Sequence, residues 1–140
     1  MKYVSKNKFL VLFSILLLTL LVLGSFIKKS DEVEVIMTTS KGELILKLYN
    51  QTPIHRDNFV KLINNQFYNG ISFHRVIKNF MAQAGDPNSR DPEYTGSLGN
   101  NSEGETLPAE IYPFLFHKKG ALAAARMGDQ VNPEKRSSGS

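Results

Sequence analysis

Apolar and polar residues alternate in two short stretches of the chain. Residues 33–39 are VEVIMTT and residues 43–49 are ELILKLY, and a turn made of Ser40, Lys41 and Gly42 separates them. Strand-favouring residues on both sides of a short turn that contains glycine are typical of a β-hairpin. The pattern therefore predicts two adjacent antiparallel strands.

The next segment changes from strand periodicity to helical periodicity. Its helically spaced positions are Ile54, Asn58, Phe59, Leu62 and Ile63. Pro53 precedes them, and proline is well suited to the first turn of a helix. The pattern predicts a helix that begins at Pro53 and ends near Asn64-Asn65.

Three further strands are predicted after the helix. Residues 73–77 (FHRVI) and 80–84 (FMAQA) are short apolar runs joined at Lys78-Asn79. Residues 121–125 (ALAAA) have small side chains that suit close backbone approach. The chain is therefore expected to be mainly β.

Strand alternation sorts the side chains of the paired runs onto faces. Because successive residues point to opposite faces, we expect two sets that each share a face: Phe73, Arg75 and Ile77 in the first run, and Met81 and Gln83 on another face. Phe80 has the opposite parity to Met81. It can join a common surface only through a bend near Lys78-Asn79.

A long loop is predicted at residues 85–106, which are rich in glycine, asparagine, aspartate, proline and serine. A loop of that length in a small domain is usually functional or mobile. Asp86, Asp91 and Glu93 lie beside prolines here. Turn formation and solvation are expected to explain them.

The N-terminal part has a different character. Residues 9–27 form an apolar run of 19 residues, and a helix of that length covers about 28 Å, enough to span a bilayer. The run follows Lys2, Lys6 and Lys8, so residues 1–8 are expected in the cytoplasm and the chain after Lys28 outside it. A cleaved signal peptide followed by secretion, or a buried core helix, are the alternatives. The domain plan is residues 1–8, an anchor or signal at 9–27, a linker at 28–32 and one domain at 33–140.

Composition removes several function classes. The formal charge of +4 arises because the first 30 residues carry five lysines and no acid, which leaves 12 basic and 13 acidic residues elsewhere. No basic stripe with aromatics follows, so we expect no nucleic-acid binding. Cysteine is absent, which excludes disulfides and thiol catalysis.

The usual catalytic constellations are also missing. His55, His74 and His117 lack a short metal-ligand spacing and are interpreted as ordinary polar or capping residues, so no metal or other cofactor is expected. The serines of residues 137–140 are interpreted as part of a polar tail, and no nucleophile elbow is present. Rotation about an X-Pro bond is one reaction that needs neither nucleophile nor metal, since its barrier is lost amide resonance.

Against this background, "FHRVIKNFMAQAGDP" at residues 73–87 resembles the signature of the cyclophilins, which are peptidyl-prolyl cis-trans isomerases. The segments "TSKGELILKLY", "TPIHRDNFVKL", "FYNGISFHRVI" and "HKKGALAAAR" occur in the family's order and spacing. The resemblance covers about residues 33–140. It implies a closed antiparallel β-barrel capped by helices, acting on proline-containing polypeptides, and we expect a monomer.

The resemblance also implies roles for individual residues. Arg75 matches the catalytic guanidinium, Phe80 and Met81 match the proline pocket, and Gln83 matches a side chain that binds substrate backbone. Ala125 matches the small residue beside the position that precedes proline. Singly, Arg75 could instead serve a surface ion pair, Phe80 and Met81 the core, and Gln83 a solvated strand.

Three departures from the family pattern affect this expectation, one of which is a loop at residues 126–140 (RMGDQVNPEKRSSGS) that is longer than in the shortest members. Arg126 stands where many members have asparagine, which affects substrate backbone contacts there. Members of the family continue past the position of Ser140 with further strands, pocket residues and a second helix, which these 140 residues do not supply.

The sequence therefore leaves two hypotheses. The first is a membrane-tethered isomerase, with its domain on the extracytoplasmic side, that accelerates X-Pro rotation during protein folding. The second is a noncatalytic module, or an inactive fragment, that binds proline-containing segments without turning them over.

Overall fold

The structure, a computed structural model, describes residues 32–100 and 105–140. The predictions for residues 1–8, for the apolar run at 9–27 and for most of the linker lie outside the described residues. Within the described ranges, no helix combines the length and the apolar character that crossing a bilayer requires.

The predicted hairpin is confirmed. Strand β1 (Val33–Thr39) pairs antiparallel with strand β2 (Gly42–Leu48), and the register runs from Val33 opposite Leu48 to Thr39 opposite Gly42. Exposure alternates along β1, as expected for a strand with one covered face. On the uncovered face Ile36 lies directly opposite Ile45, and these side chains are 67% and 73% exposed.

The predicted helix is also confirmed. Helix α1 (Pro53–Asn64) has proline in its first turn and buries Leu62. Thr52 occupies the N-cap position, but its side chain makes no capping hydrogen bond, and the first turn contains no acidic residue. The N–H groups at this end of the helix therefore need an acceptor from elsewhere in the chain.

The core of the described residues is small. Its buried apolar side chains are Leu48 at the end of β2, Leu62 near the end of α1 and Phe67 shortly after that helix. Phe67 packs edge-on against Tyr68, with ring centroids 5.1 Å apart, and the Arg90 guanidinium lies 5.1 Å from the Phe67 centroid. Arg90 also donates to the backbone carbonyl of Asn69 at 3.0 Å, so it joins the loop after α1 to the chain beyond the second hairpin.

The second hairpin is shorter than predicted. Strand β3 (Arg75–Ile77) pairs antiparallel with strand β4 (Met81–Gln83). A turn at residues 78–80 joins them, in which Phe80 N–H donates to the Ile77 carbonyl at 3.1 Å and Asn79 takes a φ of 62°. Asparagine tolerates this left-handed conformation better than most residues do. Phe80 therefore belongs to the turn and not to the strand.

The prediction that the two runs use separate faces is wrong. Arg75 lies opposite Gln83 and Ile77 opposite Met81. Residues that are directly opposite in an antiparallel pair project from the same face. The pairing register, which parity within one strand does not reveal, thus gives all four side chains a common face.

The long loop begins with a 3-10 turn at Pro87–Arg90, and its residues 101–104 lie outside the described ranges. The expectation of turn formation at Asp86 is confirmed, because its side chain accepts from Asn88 N–H at 2.9 Å. The expectation of solvation there is wrong. Asp86 is 1% exposed and also accepts from Gly99 N–H at 2.6 Å, so one carboxylate fixes both ends of residues 87–99.

The predicted strand at residues 121–125 is not observed. These residues are exposed and have no regular secondary structure. Within the described part of the chain, the backbone hydrogen bonds of this segment are Ala121 N–H to the Lys118 carbonyl and Ser138 N–H to the Ala125 carbonyl. A strand requires a ladder of such bonds along its length, and here a single bond reaches another segment.

The architecture of the described residues is mainly β, as predicted. It comprises two separate two-stranded antiparallel sheets and one α-helix. Residues 32–140 form one compact unit.

Candidate functional site

Arg75 and Gln83 form the centre of the candidate site. The Arg75 Nη1 atom lies 3.4 Å from Gln83 Oε1, at the long end of hydrogen-bonding distance. Arg75 is exposed and Gln83 is half-buried. A guanidinium has five N–H donors, so this single long contact leaves Arg75 able to donate to a bound ligand.

The alternative interpretation of Arg75 as a member of a surface ion pair is not supported. Within residues 32–100 and 105–140, no carboxylate forms an ion pair with it. Arg75 is therefore a cation on the surface of a hairpin, held loosely by an amide oxygen across the strand pair.

Apolar side chains border this cation. Met81 is half-buried and shares the face of Arg75 through the register, and Ile77 is 39% exposed on the same face. Phe80 in the turn is 75% exposed, so it is not an ordinary core residue. The face of the hairpin that carries Arg75 thus combines this cation, the Gln83 amide and solvent-accessible apolar surface.

Ala125 and Arg126 occupy a different segment, and both are exposed. The Arg126 guanidinium donates to Asp129 Oδ1 at 2.5 Å and to the Met127 carbonyl at 3.1 Å, so its hydrogen bonds stay within its own loop. Among the described residues, no hydrogen bond or ion pair joins Ala125 or Arg126 directly to Arg75 or Gln83.

His74 supports the hairpin from beneath the long loop. Both ring nitrogens are shielded from solvent and have no hydrogen-bond partner within the described residues. A Cβ atom added to Gly99 would lie 3.0 Å from His74 Nε2, so the loop backbone is packed tightly over the ring. Gly99 is the residue that Asp86 holds, and this fixes the loop next to the strand that carries Arg75.

A second polar cluster, which we call the relay, consists of Glu110, His55 and Ser137. His55 Nδ1 lies 2.6 Å from Glu110 Oε2, and His55 Nε2 lies 2.7 Å from Ser137 Oγ. The Glu110 side chain is 6% exposed and Ser137 is 5% exposed. The prediction that Ser137 belongs to a polar tail is therefore wrong.

Glu110 also supplies the missing cap of α1. Its two carboxylate oxygens accept from Ile54 N–H at 3.0 Å and from His55 N–H at 2.9 Å. Burial raises the pKa of this carboxyl, but the backbone and ring donors of His55 and the backbone of Ile54 outweigh it, so the pKa lies below its usual value. The carboxylate therefore stays ionised at the positive end of the helix dipole.

Sequence reasoning missed the relay because its members are widely separated. Glu110 lies 55 residues from His55, and Ser137 lies 82 residues from it. The one available signal was the start of α1, where Pro53 opens a helix that has no acidic residue in its first turn.

Comparison with known proteins identifies the family. Residues 34–140 match the family model described as cyclophilin type peptidyl-prolyl cis-trans isomerase/CLD. The chain belongs to the cyclophilin family. Within the cyclophilin match lie the hairpin that carries Arg75 and the three members of the relay.

Curated relatives of this cyclophilin agree. A protein of Staphylococcus saprophyticus named as a peptidyl-prolyl cis-trans isomerase is 39% identical over 103 residues, which are 73% of this chain and 50% of the relative. A protein of Staphylococcus aureus strain USA300 with the same name is 39% identical over 105 residues, 74% of this chain and 51% of the relative. The chain thus spans about half the length of the curated relatives it matches. No solved structure matches it significantly.

Proposed function

We propose that the protein accelerates cis-trans rotation about X-Pro bonds in polypeptides, with Arg75 as the catalytic cation. The observation that carries the proposal is the position of Arg75. It is an exposed guanidinium without a carboxylate partner in the described chain, and it shares a hairpin face with Gln83 and Met81.

The chemistry needs only binding groups. No covalent bond is made or broken, and the barrier of about 18–20 kcal/mol is the loss of amide resonance. In the twisted transition state the prolyl nitrogen regains a lone pair, which makes it a better hydrogen-bond acceptor than in the planar amide. A donor that interacts more strongly with the twisted form lowers the barrier.

The strength of this hydrogen bond determines how much of the rate acceleration Arg75 can supply. A charge-assisted hydrogen bond contributes roughly 1.5–3 kcal/mol, which equals about one to two decades in rate. The remaining acceleration needs an apolar environment that grips the proline ring and disfavours the more polar planar amide. We assign this role to Phe80, Met81 and Ile77, which supply accessible apolar surface in the same hairpin as Arg75.

Peptide backbone contacts complete the proposed site. Gln83, opposite Arg75, is assigned to a substrate backbone group, since its amide offers both donors and an acceptor. Ala125 and Arg126 are assigned to the flank that precedes proline. Only small exposed side chains occupy residues 123–125, which leaves room for an extended peptide.

The wider context is part of the same proposal. The apolar run at residues 9–27 supports a membrane anchor, with the domain at 33–140 on the extracytoplasmic side, and secretion after signal cleavage is the alternative. The family resemblance supports a monomer and an antiparallel barrel to which the two hairpins and α1 contribute. The substrates would be proline-containing polypeptides that fold outside the cytoplasm.

The decisive experiment compares Arg75→Ala with the unchanged chain in a peptide isomerisation assay and in a peptide-binding assay. We expect at least a tenfold loss of rate with a much smaller loss of binding. Lys78→Ala is the matched control, because it removes a positive charge from the turn of the same hairpin. It should leave the rate nearly unchanged.

The assay also separates the two hypotheses. If the unchanged chain binds X-Pro peptides but does not accelerate their rotation, the protein is a noncatalytic binding module. Equal rates for Arg75→Ala and the unchanged chain, both above background, would remove Arg75 from the mechanism.

A further inference from the structure

A neutral His55 ring gives the relay a single hydrogen-bond direction. An ionised carboxylate can only accept hydrogen bonds, so the short contact between Glu110 Oε2 and His55 requires a proton on Nδ1. In the neutral imidazole the proton on Nδ1 leaves Nε2 as an acceptor. Ser137 Oγ–H then donates to Nε2 across 2.7 Å.

Ser137 is also fixed by its backbone. Its N–H donates to the Leu107 carbonyl at 3.0 Å, and Leu107 N–H donates back to the Ser137 carbonyl at 2.9 Å. The residue is therefore held on two sides, by the start of α1 through its hydroxyl and by residue 107 through its backbone.

Residues 138–140, which follow Ser137, touch both flanks of the proposed peptide surface. Ser138 N–H donates to the Ala125 carbonyl at 2.8 Å, and Ser140 Oγ donates to the Gly85 carbonyl at 3.1 Å. Gly85 lies two residues after Gln83. Asn58 of α1 donates to the Gly139 carbonyl at 2.5 Å, so the helix holds this segment at a second point.

We propose that Glu110, His55 and Ser137 are positioning residues that hold residues 137–140 against α1 and thereby set the places of Ala125 and Gly85. The consequence for peptides rests on the proposed function, because it treats Ala125 and Gln83 as parts of the peptide surface. The relay touches no reacting atom, so its members are not catalytic residues.

The same three residue types in this order also form nucleophilic triads. Here the burial of Ser137 decides against that use. At 5% exposure, Ser137 presents almost no accessible surface to an incoming acyl group. The geometry of the relay serves to hold a segment in place.

The first test measures the His55 tautomer in the unchanged chain by ¹⁵N NMR at neutral pH. The proposal requires a protonated Nδ1 and an unprotonated Nε2 that accepts a hydrogen bond. A proton on Nε2 with a bare Nδ1 would overturn it. This measurement needs no variant and no activity.

The second test separates the Ser137 hydroxyl from its shape. Ser137→Thr keeps the hydroxyl, Ser137→Val has nearly the shape of threonine without it, and Ser137→Ala removes it without adding bulk. We expect amide exchange at Ser138 to become about three- to tenfold faster in the valine and alanine variants, the factor that losing one ordinary hydrogen bond implies. The threonine variant should match the unchanged chain. Equal exchange rates at Ser138 in the threonine and valine variants would overturn the proposal. If the valine variant does not fold, equal rates in the alanine variant and the unchanged chain would overturn it.

A third measurement keeps this proposal separate from the proposed function. Binding of an X-Pro peptide should weaken in Ser137→Val and be restored in Ser137→Thr. If the unchanged chain neither binds nor isomerises such peptides, the proposed function fails, whereas the tautomer and the exchange rates still decide the relay.

Discussion

Arg75 lies directly opposite Gln83 across strands β3 and β4, and the guanidinium approaches the amide oxygen to 3.4 Å. A neutral partner at this distance orients the cation without neutralising it. The arrangement differs from an ion pair, in which a carboxylate would hold the guanidinium in short bidentate contacts and compete with a ligand.

This difference predicts the effect of Gln83→Glu. The new carboxylate should draw the Arg75 guanidinium into an ion pair, and we expect the isomerisation rate to fall by about tenfold or more, the cost of losing one charge-assisted contact in the transition state. The measurement is the isomerisation rate of an X-Pro peptide. Gln51→Glu, an exposed change outside the hairpin, is the control for added negative charge. A rate equal to that of the control would contradict the prediction.

Glu110→Gln should destabilise the fold. Glutamine keeps the shape of the side chain but has one acceptor oxygen in place of two, so one of the N–H groups of Ile54 and His55 loses its partner. We expect a loss of about 1–3 kcal/mol, the range for a lost cap and an unsatisfied buried group. Urea denaturation measures it. Glu134→Gln at an exposed position should change the free energy of unfolding by less than about 0.5 kcal/mol.

The lowered pKa of Glu110 gives the stability a pH dependence of known sign. In the unfolded chain this carboxyl titrates near its ordinary value of 4.5. Because the folded state holds the proton less tightly, the contribution of Glu110 is present above that value and is lost as the pH falls through the lower folded pKa.

Urea midpoints measured between pH 6 and pH 3 test this sign. The exposed carboxyls Asp57 and Asp129, which also have lowered pKa values beside Arg56 and Arg126, add to the acid loss. The Glu110→Gln variant keeps those two groups. It should therefore lose less stability on acidification than the unchanged chain, and an identical loss in both would refute the assignment to Glu110.

Alanine substitutions at two glycines distinguish the cost of backbone strain from the cost of a steric contact. Gly85 and Gly120 both have positive φ, 111° and 85°, which strain any residue with a Cβ atom. At Gly85 an added Cβ would also lie 2.9 Å from the Ser140 backbone carbon, whereas at Gly120 it would meet nothing within 4 Å. We expect Gly85→Ala to lower the unfolding free energy by at least about 1 kcal/mol more than Gly120→Ala does. Equal losses of unfolding free energy in the two variants would show that the backbone at Ser140 can move away from the added Cβ atom without destabilising the fold.

The local elements were predictable because their signals are local. Turn glycine between two β-branched runs predicted β1 and β2, and Pro53 with helical spacing predicted α1. The length of β3 and the placement of Phe80 were not predictable in the same way. They depend on the turn that Asn79 makes with positive φ, which apolar content alone does not reveal.

The site required information about distant pairs. Parity within one strand gave separate faces to Arg75 and Gln83, and only the register between strands places them together. Asp86 looked like an ordinary loop acid because its second bond, to Gly99, spans 13 residues. The strand expected at 121–125 failed because β structure depends on a neighbouring strand as much as on composition.

The double attachment at Asp86 has a practical consequence for redesign. The Asp86 carboxylate accepts hydrogen bonds from the backbone at Asn88 and again at Gly99. Residues 92–98 therefore form an exposed loop whose two ends are already fixed. A foreign recognition peptide could therefore be grafted into this loop without changing the pairing of β3 with β4.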